Sequence, residues 1–316
     1  MPGAVVKIVR FTHQPDAPPS LGVVVDDGIV DIGGLVAPGS PADPQDAVRR
    51  LIGDFDDLRD DIDRLVRTSR PIPTDAARLL APLPRPTTLL CCIANYWEHA
   101  QREARPLNMF VKSSDAVIGP GETIALPAFE EPWTFMHEAE LALVIRGPAK
   151  DVAPEDWRSA VFGYTGLIDV TARGEGRITW RPVSWLGKSF DTFAPIGPCI
   201  VTADEIADPN ALHVRLWNSG ELRHDYTTDD MEHRVPELVA FATGVVTLES
   251  GDVIACGTNH EGLGTIQDGD RLELDIEGVG RMEVSVSDPL GRRWDRGIYT
   301  GADSSNPDVI RDRARR

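Results

Sequence analysis

Two glutamates stand at the head of the apolar stretch HEAELALVI, residues 137–145. In a β-strand, alternate side chains point to the same face about 6.5–7 Å apart, so Glu138 and Glu140 share a face while alanine, leucine and isoleucine form the other. Two adjacent carboxylates near a core repel each other, and a divalent cation relieves the repulsion. Oxygen ligands favour Mg²⁺, Mn²⁺ or Ca²⁺. The alternative interpretation is an exposed strand with an acidic face.

Two further residues have types and positions that suit such a site. Asp169 ends the apolar stretch VFGYTGLID, where a side chain can leave a sheet and enter a cleft, although aspartate is also a common turn former. Lys188 lies among glycine, serine and aromatic residues in WLGKSFDTF. A lysine there can stabilise an enolate or oxyanion beside a metal, or it can be an ordinary surface lysine.

The stretch NYWEHAQRE, residues 95–103, offers a general base. We predict a helix here, on which His99 and Glu103 are i,i+4 neighbours on one face. A carboxylate bound to an imidazole raises its basicity and fixes its tautomer, which suits proton abstraction. The alternative is a surface helix of mixed charge.

The surrounding elements are predicted to be mainly strands. Strands are indicated at 4–10, 22–32, 87–94, 137–145 and 161–170, with hairpins around 218–220 and over 271–286. Helical spacing covers 46–66, with Gly53 as a weak point, and a short helix begins near Pro236. The proline-rich segment 71–86 is interpreted as a connector.

Bulk composition limits the classes of function. The 316 residues carry a net charge of −18, from 50 acidic and 32 basic residues, which argues against a nucleic-acid partner or attraction to anionic lipid. No apolar run is long enough to cross a membrane, and the first residues lack a signal-peptide pattern, so we expect a cytoplasmic protein. Without a C-x-x-C pair, the four cysteines are expected to be buried, reduced thiols.

Taken together, the motifs resemble the fumarylacetoacetate hydrolase family. They occur in the family's order and cover about residues 85–290: Asn95–Ala100, Glu138–Glu140, Asp169–Arg173, Lys188–Pro198 and Gly251–Thr258. The resemblance implies an α+β, β-rich fold, with a rolled or barrel-like mixed sheet in a catalytic domain at 83–292. It also implies a small α/β accessory domain at 1–82 and a homodimer. We expect the extension at 293–316 to be partly disordered.

The resemblance also implies roles for individual residues. Glu138, Glu140 and Asp169 match the ligands of a Mg²⁺, Mn²⁺ or Ca²⁺ ion, Lys188 matches a lysine that contacts substrate oxygen, and His99 matches the histidine that activates water. The substrate-binding positions are taken to be Asn95, Tyr96, Gly257 and Thr258.

Departures from the family pattern affect the base and the substrate loops. The family commonly has an acid three residues after the histidine, where this chain has Arg102, so Glu103 is expected to substitute and Arg102 can instead hold a substrate carboxylate. His260 follows the GT motif where many members have proline, and it can either reach the site or stay within its loop. Arg177, Trp180 and Arg181 are unranked candidates for substrate contact.

The chemistry expected of this site is formation of an enolate. A 1,3-dicarbonyl or acylpyruvate-type 2-oxo acid would chelate the metal, and hydrolysis would cleave its C–C bond with a metal-stabilised enolate as leaving group. Decarboxylation, keto–enol isomerisation and dehydration use the same electron sink and remain alternatives. A non-catalytic metal or ligand binder is a further hypothesis of a different class.

Overall fold

The computed structural model describes residues 6–13, 17–26, 28–36, 43–99, 102–128, 133–174 and 185–297. Strands dominate, as the predicted α+β class requires. Their bounds are β1 Lys7–Thr12, β2 Ser20–Val25, β3 Gly28–Asp31, β4 Arg78–Leu80, β5 Leu89–Cys92, β6 Met109–Val111, β7 Val117–Ile118, β8 Thr123–Ala125, β9 Trp133–Met136, β10 Ala139–Ile145, β11 Val161–Ile168, β12 Thr171–Gly174, β13 Ala194–Thr202, β14 His213–Asn218, β15 Glu221–Thr227, β16 Val253–Ala255, β17 Arg271–Ile276 and β18 Gly280–Ser287. The α-helices are α1 Asp46–Gly53, α2 Phe55–Thr68 and α3 Val235–Val245.

The largest sheet has eleven strands and is open. Its main path runs β3-β2-β1-β13-β11-β10-β16-β5-β6, with β4 and β7 pairing beside it. A second sheet has the order β15-β14-β17-β18-β8, and β12 pairs with β9 in a small ribbon. Because β3 and β6 end the main path on opposite edges, the described strands form an open mixed sheet and no closed barrel, which agrees with the predicted β-rich α+β class.

The N-terminal strands continue the main sheet. β1 pairs with β13 through Lys7 and Ile8. The helices behind it break at Gly53, the predicted weak point, and Phe55 at the start of α2 meets Phe162 of β11 edge to face at 5.0 Å. The predicted strand at 22–32 is two strands, β2 and β3. The domain boundaries near 82 and 292 stay predictions.

The centre of the sheet carries the candidate site. β10 pairs with β11 on one side and β16 on the other, and both faces of β10 are buried. Ala139 is the register partner of Ile168, so the residues just outside the paired segment, Glu138 and Asp169, are neighbours. The amide of Asp169 donates to the carbonyl of Glu138 at 2.8 Å. Antiparallel pairing therefore brings together two acids that are 31 positions apart in the sequence.

Two predictions about the rest of the chain can be compared with the structure. Cys91, Cys92, Cys199 and Cys256 are free and buried, as expected. In the C-terminal extension, Trp294 packs against Phe135 with ring centroids 5.8 Å apart, and the prediction of disorder falls largely on 298–316, outside the described residues. No helix in the described ranges has the length and apolar character needed to cross a membrane.

Candidate active site

Three buried carboxylates converge at the centre of the main sheet. Glu138 is 5% exposed, Glu140 1% and Asp169 0%. One oxygen from each lies within 4.8 Å of one from both others. We call these three residues the acidic triad. The predicted alternation of Glu138 and Glu140 and the predicted exit of Asp169 from its strand thus produce one cluster.

Lys188 bridges two members of the acidic triad. Its Nζ donates to Oε2 of Glu138 at 2.6 Å and to Oδ2 of Asp169 at 2.7 Å. Burial alone would lower the pKa of Lys188, but these carboxylates raise it above its usual value. The ammonium is therefore permanently charged, and its side chain is 17% exposed. The sequence placed Lys188 near the metal, and the structure places it against the ligands themselves.

A second lysine at the site was missed by the sequence analysis. Lys112, directly after β6, is fully buried, and its Nζ donates to Oδ1 of Asp169 at 2.5 Å and to the carbonyl of Val170 at 3.2 Å. A buried lysine requires a charged partner. A charged residue at the end of the apolar stretch MFVK was the available signal.

The acidic triad is unevenly compensated. Burial raises the pKa of Glu138, but Lys188 and Arg173 oppose it and hold the value well below the usual range. For Glu140, burial raises the pKa and the charges of Asp169 and Glu138 raise it further. Among the described residues Glu140 has no ion-pair partner, and its carboxylate accepts only the amide of Gly257, at 2.8 Å.

This imbalance fits a divalent cation. Three buried carboxylates supply only oxygen donors, which suit Mg²⁺, Mn²⁺ or Ca²⁺. The acid with the least compensation is the one that a further positive charge would stabilise most. Glu138, Glu140 and Asp169 are therefore the residues that would hold the metal.

The loop after β16 supports the triad. Gly257, with φ +85°, donates its amide to Glu140, and a side chain there would meet Cβ of Asn95 at 3.2 Å. Thr258 is buried beside it. Asn95 ties this loop to the segment before α3, because its amide group donates to the carbonyls of Cys256 and His233. Substrate binding by Gly257, Thr258 and Asn95 stays a prediction.

Tyr96 lies beneath the site. Its side chain is fully buried and its ring meets Tyr226 edge to face at 5.0 Å. Burial raises the pKa of Tyr96 well above its usual value. In this structure the ring packs as part of the core, and its predicted contact with substrate stays a prediction.

The segment predicted to be a helix at 95–103 is not helical in its described part. Glu98 and His99 have φ of 51° and 57°, which a right-handed helix excludes, and the amide of Glu98 is bound to Asp230 at 3.1 Å. The predicted face shared by His99 and Glu103 is therefore wrong. Instead, His99 is 87% exposed and its Nε2 lies 3.5 Å from Glu261.

Arg102 is engaged elsewhere than predicted. It and Arg105 clamp Glu232, whose side chain is fully buried: Arg102 donates to Oε2 at 3.0 Å, and Nε of Arg105 donates to Oε1 at 2.7 Å. Arg102 is thus part of an internal ion pair rather than free to hold a substrate carboxylate. The clamp fixes the chain after His99 against the segment before α3.

We expect Glu232→Gln to lower the free energy of unfolding by about 2–3 kcal/mol at pH 7, since two arginines lose their carboxylate. Burial opposes ionisation, but the two arginines hold the pKa of Glu232 at about 2, against about 4.3 in an unfolded chain. This stabilisation is complete above pH about 4.3 and is lost as the pH falls toward 2. Urea unfolding across this range tests it, with the exposed Glu283→Gln as control. A deficit that persists unchanged at pH 2 would contradict it.

His260 lies inside the site. Its Nδ1 is 2.5 Å from Oε1 of Glu98, its amide donates to the same oxygen at 2.9 Å, and both side chains are buried. Although burial raises the pKa of Glu98, these contacts hold it below its usual value. Of the two alternatives for His260, it forms a contact beyond its own loop, and the partner is an acid that the sequence analysis did not single out.

A second buried pair of histidines supports the same loop. Nδ1 of His137 is 3.0 Å from Nε2 of His224, whose Nδ1 donates to the carbonyl of Asn259 at 3.1 Å. Burial lowers the pKa of His224 to about 4 and holds the pKa of His137 well below its usual value, so both rings are neutral at pH 7. This chain of hydrogen bonds joins the residue before Glu138 to the residue before His260.

The remaining candidates for substrate contact, Arg177, Trp180 and Arg181, lie outside the described residues.

Comparison with known proteins gives a consistent result. The family model described as the C-terminal domain of fumarylacetoacetate (FAA) hydrolase matches residues 88–287. A maleylpyruvate hydrolase from Aquipseudomonas alcaligenes is 32% identical over 298 residues, covering 89% of this chain and 99% of the relative. A mitochondrial oxaloacetate tautomerase (fahd2) from Xenopus laevis is 30% identical over 303 residues, covering 92% and 91%.

A solved structure agrees in fold as well. The crystal structure of maleylpyruvate hydrolase from Sphingobium sp. SYK-6, in complex with manganese(II) and pyruvate, is similar at a TM-score of 0.78 and 37% identity, covering 89% of this chain and 99% of that one. The matched residues 88–287 contain the acidic triad, both lysines and the His260–Glu98 pair. The chain therefore belongs to the fumarylacetoacetate hydrolase family of enzymes.

Proposed function

We propose that this enzyme is a divalent-metal-dependent hydrolase that cleaves the C–C bond of an acylpyruvate, a 2,4-dioxo acid. The observation that carries the proposal is the acidic triad with Lys188 bound across two of its members. The resemblance to two maleylpyruvate hydrolases, one of them solved with manganese(II) and pyruvate, supports the choice of substrate class. Pyruvate is one of the two products that such a cleavage yields.

The metal would be held by the acidic triad, where it supplies Lewis-acid polarisation of the 2-oxo acid. We propose Mg²⁺ or Mn²⁺ because the donor set is all oxygen. Lys188 provides a second, charged donor at the same place, and 17% of its side chain is exposed. Its role is to stabilise negative charge on a substrate oxygen as the C–C bond breaks.

Hydrolysis also needs a base for water, and His99 takes this role. It is exposed to solvent, with Glu261 at 3.5 Å from Nε2. Glu261 replaces Glu103 as the acid beside this imidazole. The histidine removes a proton from water, and the resulting hydroxide attacks the acyl carbonyl carbon.

Oxaloacetate keto–enol tautomerisation is the second candidate. The buried His260–Glu98 pair favours it, because proton transfer to and from carbon needs a buried base and no activated water. The similarity to an oxaloacetate tautomerase supports it in the same way. A homodimer and a cytoplasmic location complete the proposal, and light scattering after size exclusion tests the first.

Turnover of acylpyruvates tests the proposal. With Mn²⁺, the enzyme should convert an acylpyruvate into pyruvate and a carboxylate in equal amounts, and chelation should stop the reaction. His99→Asn should lower kcat about 10²–10⁴-fold while Mn²⁺ affinity stays within about twofold, since His99 removes a proton and holds no metal. Product analysis and Mn²⁺ titration measure both.

The control and the contrary outcomes are clear. His213→Asn should behave as wild type, because His213 lies on the second sheet, where its ring contacts Asp225. Full hydrolysis by His99→Asn would exclude His99 as the base. Failure to cleave any acylpyruvate, together with rapid tautomerisation of oxaloacetate, would replace the proposal with the second candidate.

A further inference from the structure

Two histidine–glutamate pairs connect the segment at 98–99 with the loop at 260–261. Glu98 binds His260, and His99 lies 3.5 Å from Glu261. The first pair is buried, with side chains 6% and 7% exposed, whereas His99 is 87% exposed. One imidazole therefore lies in the interior of the site and the other faces solvent, so the two suit different proton transfers.

The buried pair is held rigidly. Asp230 accepts from the amide of Glu98 and from Nδ2 of Asn259, both at 3.1 Å, which ties the two segments together. Oε1 of Glu98 accepts from the amide of His260 as well as facing its Nδ1. With Nδ1 bound to the carboxylate, Nε2 is the ring nitrogen that remains, and it has no hydrogen-bond partner in the described part of the chain.

His260 is also close to the acidic triad. Gly257, whose amide binds Glu140, is three residues earlier, so the Cα of His260 lies within about 11 Å of it. The hydrogen bonds through His137 and His224 also join the residue before Glu138 to the residue before His260. An imidazole with one unengaged nitrogen thus stands beside the position where the 2-oxo acid would bind.

We propose that His260 is the proton donor to C3 of the enolate that leaves when the C–C bond breaks, and that Glu98 is its positioning residue. This inference rests on the proposed function. It separates the two proton transfers of the reaction: the exposed His99 works on water, and the buried His260 works on carbon. Carbon protonation benefits from exclusion of water, which a buried donor provides.

In this reaction one water molecule is consumed for each C–C bond that breaks. The hydroxide left after His99 takes a proton from water bonds to the acyl carbon, and the electron pair of the broken C–C bond remains on the pyruvate half as an enolate. C3 takes the proton from Nε2 of His260, which yields the methyl group of pyruvate and a neutral imidazole. Solvent returns a proton to His260 and accepts the one held by His99. One water is consumed and the second product is a carboxylic acid, which ionises.

Other groups at the site suit this step less well. Lys188 already donates to two carboxylates, to Glu138 at 2.6 Å and to Asp169 at 2.7 Å. Lys112 is fully buried and bound to Asp169 and a backbone carbonyl. His137 and His224 are bound to each other. Of the described imidazoles around the triad, His260 alone combines burial with a carboxylate on Nδ1 and an unengaged Nε2.

Hydrogen–deuterium exchange at C3 of pyruvate isolates this transfer, because it is the reverse proton removal and needs neither water attack nor C–C cleavage. In D₂O with Mn²⁺, the wild-type enzyme should replace the methyl protons of pyruvate with deuterium. Proton NMR measures the loss of the methyl signal. His260→Asn should slow exchange about 10²-fold or more. His99→Asn should lose hydrolysis but keep exchange, and His213→Asn should change neither.

Glu98 is tested through variants that separate positioning from folding. Glu98→Gln keeps an acceptor for Nδ1 and should lower the exchange kcat about tenfold with KM for pyruvate and Mn²⁺ affinity unchanged. Glu98→Ala should lower it further. Because these variants keep the backbone and the metal ligands, Mn²⁺ affinity reports whether the site is intact, and His260→Gln serves where His260→Asn does not fold.

The outcomes are distinguishable. Exchange at the wild-type rate in His260→Asn or His260→Gln with Mn²⁺ bound would overturn the inference, as would the absence of exchange in wild type. Wild-type exchange that depends on His260, without cleavage of any acylpyruvate, would support the inference and reject the proposed hydrolase.

Discussion

Glu140→Gln should abolish turnover and weaken Mn²⁺ binding by about 10²-fold or more, because even loss of a residue that only orients a ligand typically costs about 10–100-fold. In the wild-type protein the amide of Gly257 donates a hydrogen bond to Glu140 at 2.8 Å, and the amide oxygen of glutamine can accept the same bond. The substitution therefore removes charge while preserving the local contact. Calorimetric titration of Mn²⁺ and an acylpyruvate assay measure the two effects.

The same variant should have the opposite effect on stability without metal. Burial and the charges of Asp169 and Glu138 raise the pKa of Glu140, so its ionised form is unfavourable in the folded protein. With chelator present at pH 7, Glu140→Gln should unfold at a free energy about 1 kcal/mol higher than wild type. Glu283→Gln, at an exposed position of β18, should change neither affinity nor stability. Tight Mn²⁺ binding by Glu140→Gln would remove Glu140 from the ligand set.

The three candidate metal ligands could be predicted from the sequence because each depends on a local rule. Alternation in a strand fixed the shared face of Glu138 and Glu140, and Asp169 follows the last apolar residue of the neighbouring strand. The antiparallel pairing of Ala139 with Ile168 then brings Glu138 and Asp169 side by side. The hairpins and the break at Gly53 were predictable for the same reason: their signals are confined to a few residues.

The acids that lie beside His99 and His260 could not be found in this way, although both histidines were candidates in the sequence. The pairing of His99 with Glu103 assumed a helix, and positive φ at Glu98 and His99 excludes one. The acids that do lie near the histidines come from distant segments: Glu98 and His260 are 162 positions apart. Such pairs depend on how loops pack, which no periodicity in the sequence reports.

The clamp on Glu232 and the buried Lys112 also depend on contacts between segments that are distant in the sequence. Arg102 and Glu232 are 130 positions apart, so no local pattern in the sequence indicated that an internal carboxylate would bind Arg102 in place of a substrate. Lys112 lies 57 positions before Asp169, although a lysine at the end of an apolar strand could have been singled out on composition alone. In each case the missing information is the partner of a buried charge.

Lys188→Met should lower kcat by about 10²–10³-fold and yet strengthen Mn²⁺ binding by about tenfold. The loss of rate follows from removing the donor that stabilises negative charge on the substrate. The gain in affinity follows from the position of Nζ, which is 2.6 Å from Glu138 and 2.7 Å from Asp169. A metal bound by these carboxylates competes with the ammonium for the same oxygens and is repelled by its charge.

These opposite effects distinguish Lys188 from a residue that merely supports the fold. Lys112 is fully buried and also bound to a backbone carbonyl, so it stays with Asp169, whereas 17% of the Lys188 side chain is exposed, which leaves it freer to turn toward substrate. Lys150→Met serves as control for the loss of one charge, because Lys150 is an exposed lysine that donates to the carbonyl of Gly244 at the end of α3. Weaker Mn²⁺ binding by Lys188→Met than by wild type would mean that the ammonium holds the carboxylates in place for the metal instead of competing with it. The proposal that Lys188 leaves these carboxylates and turns toward the substrate would then be wrong.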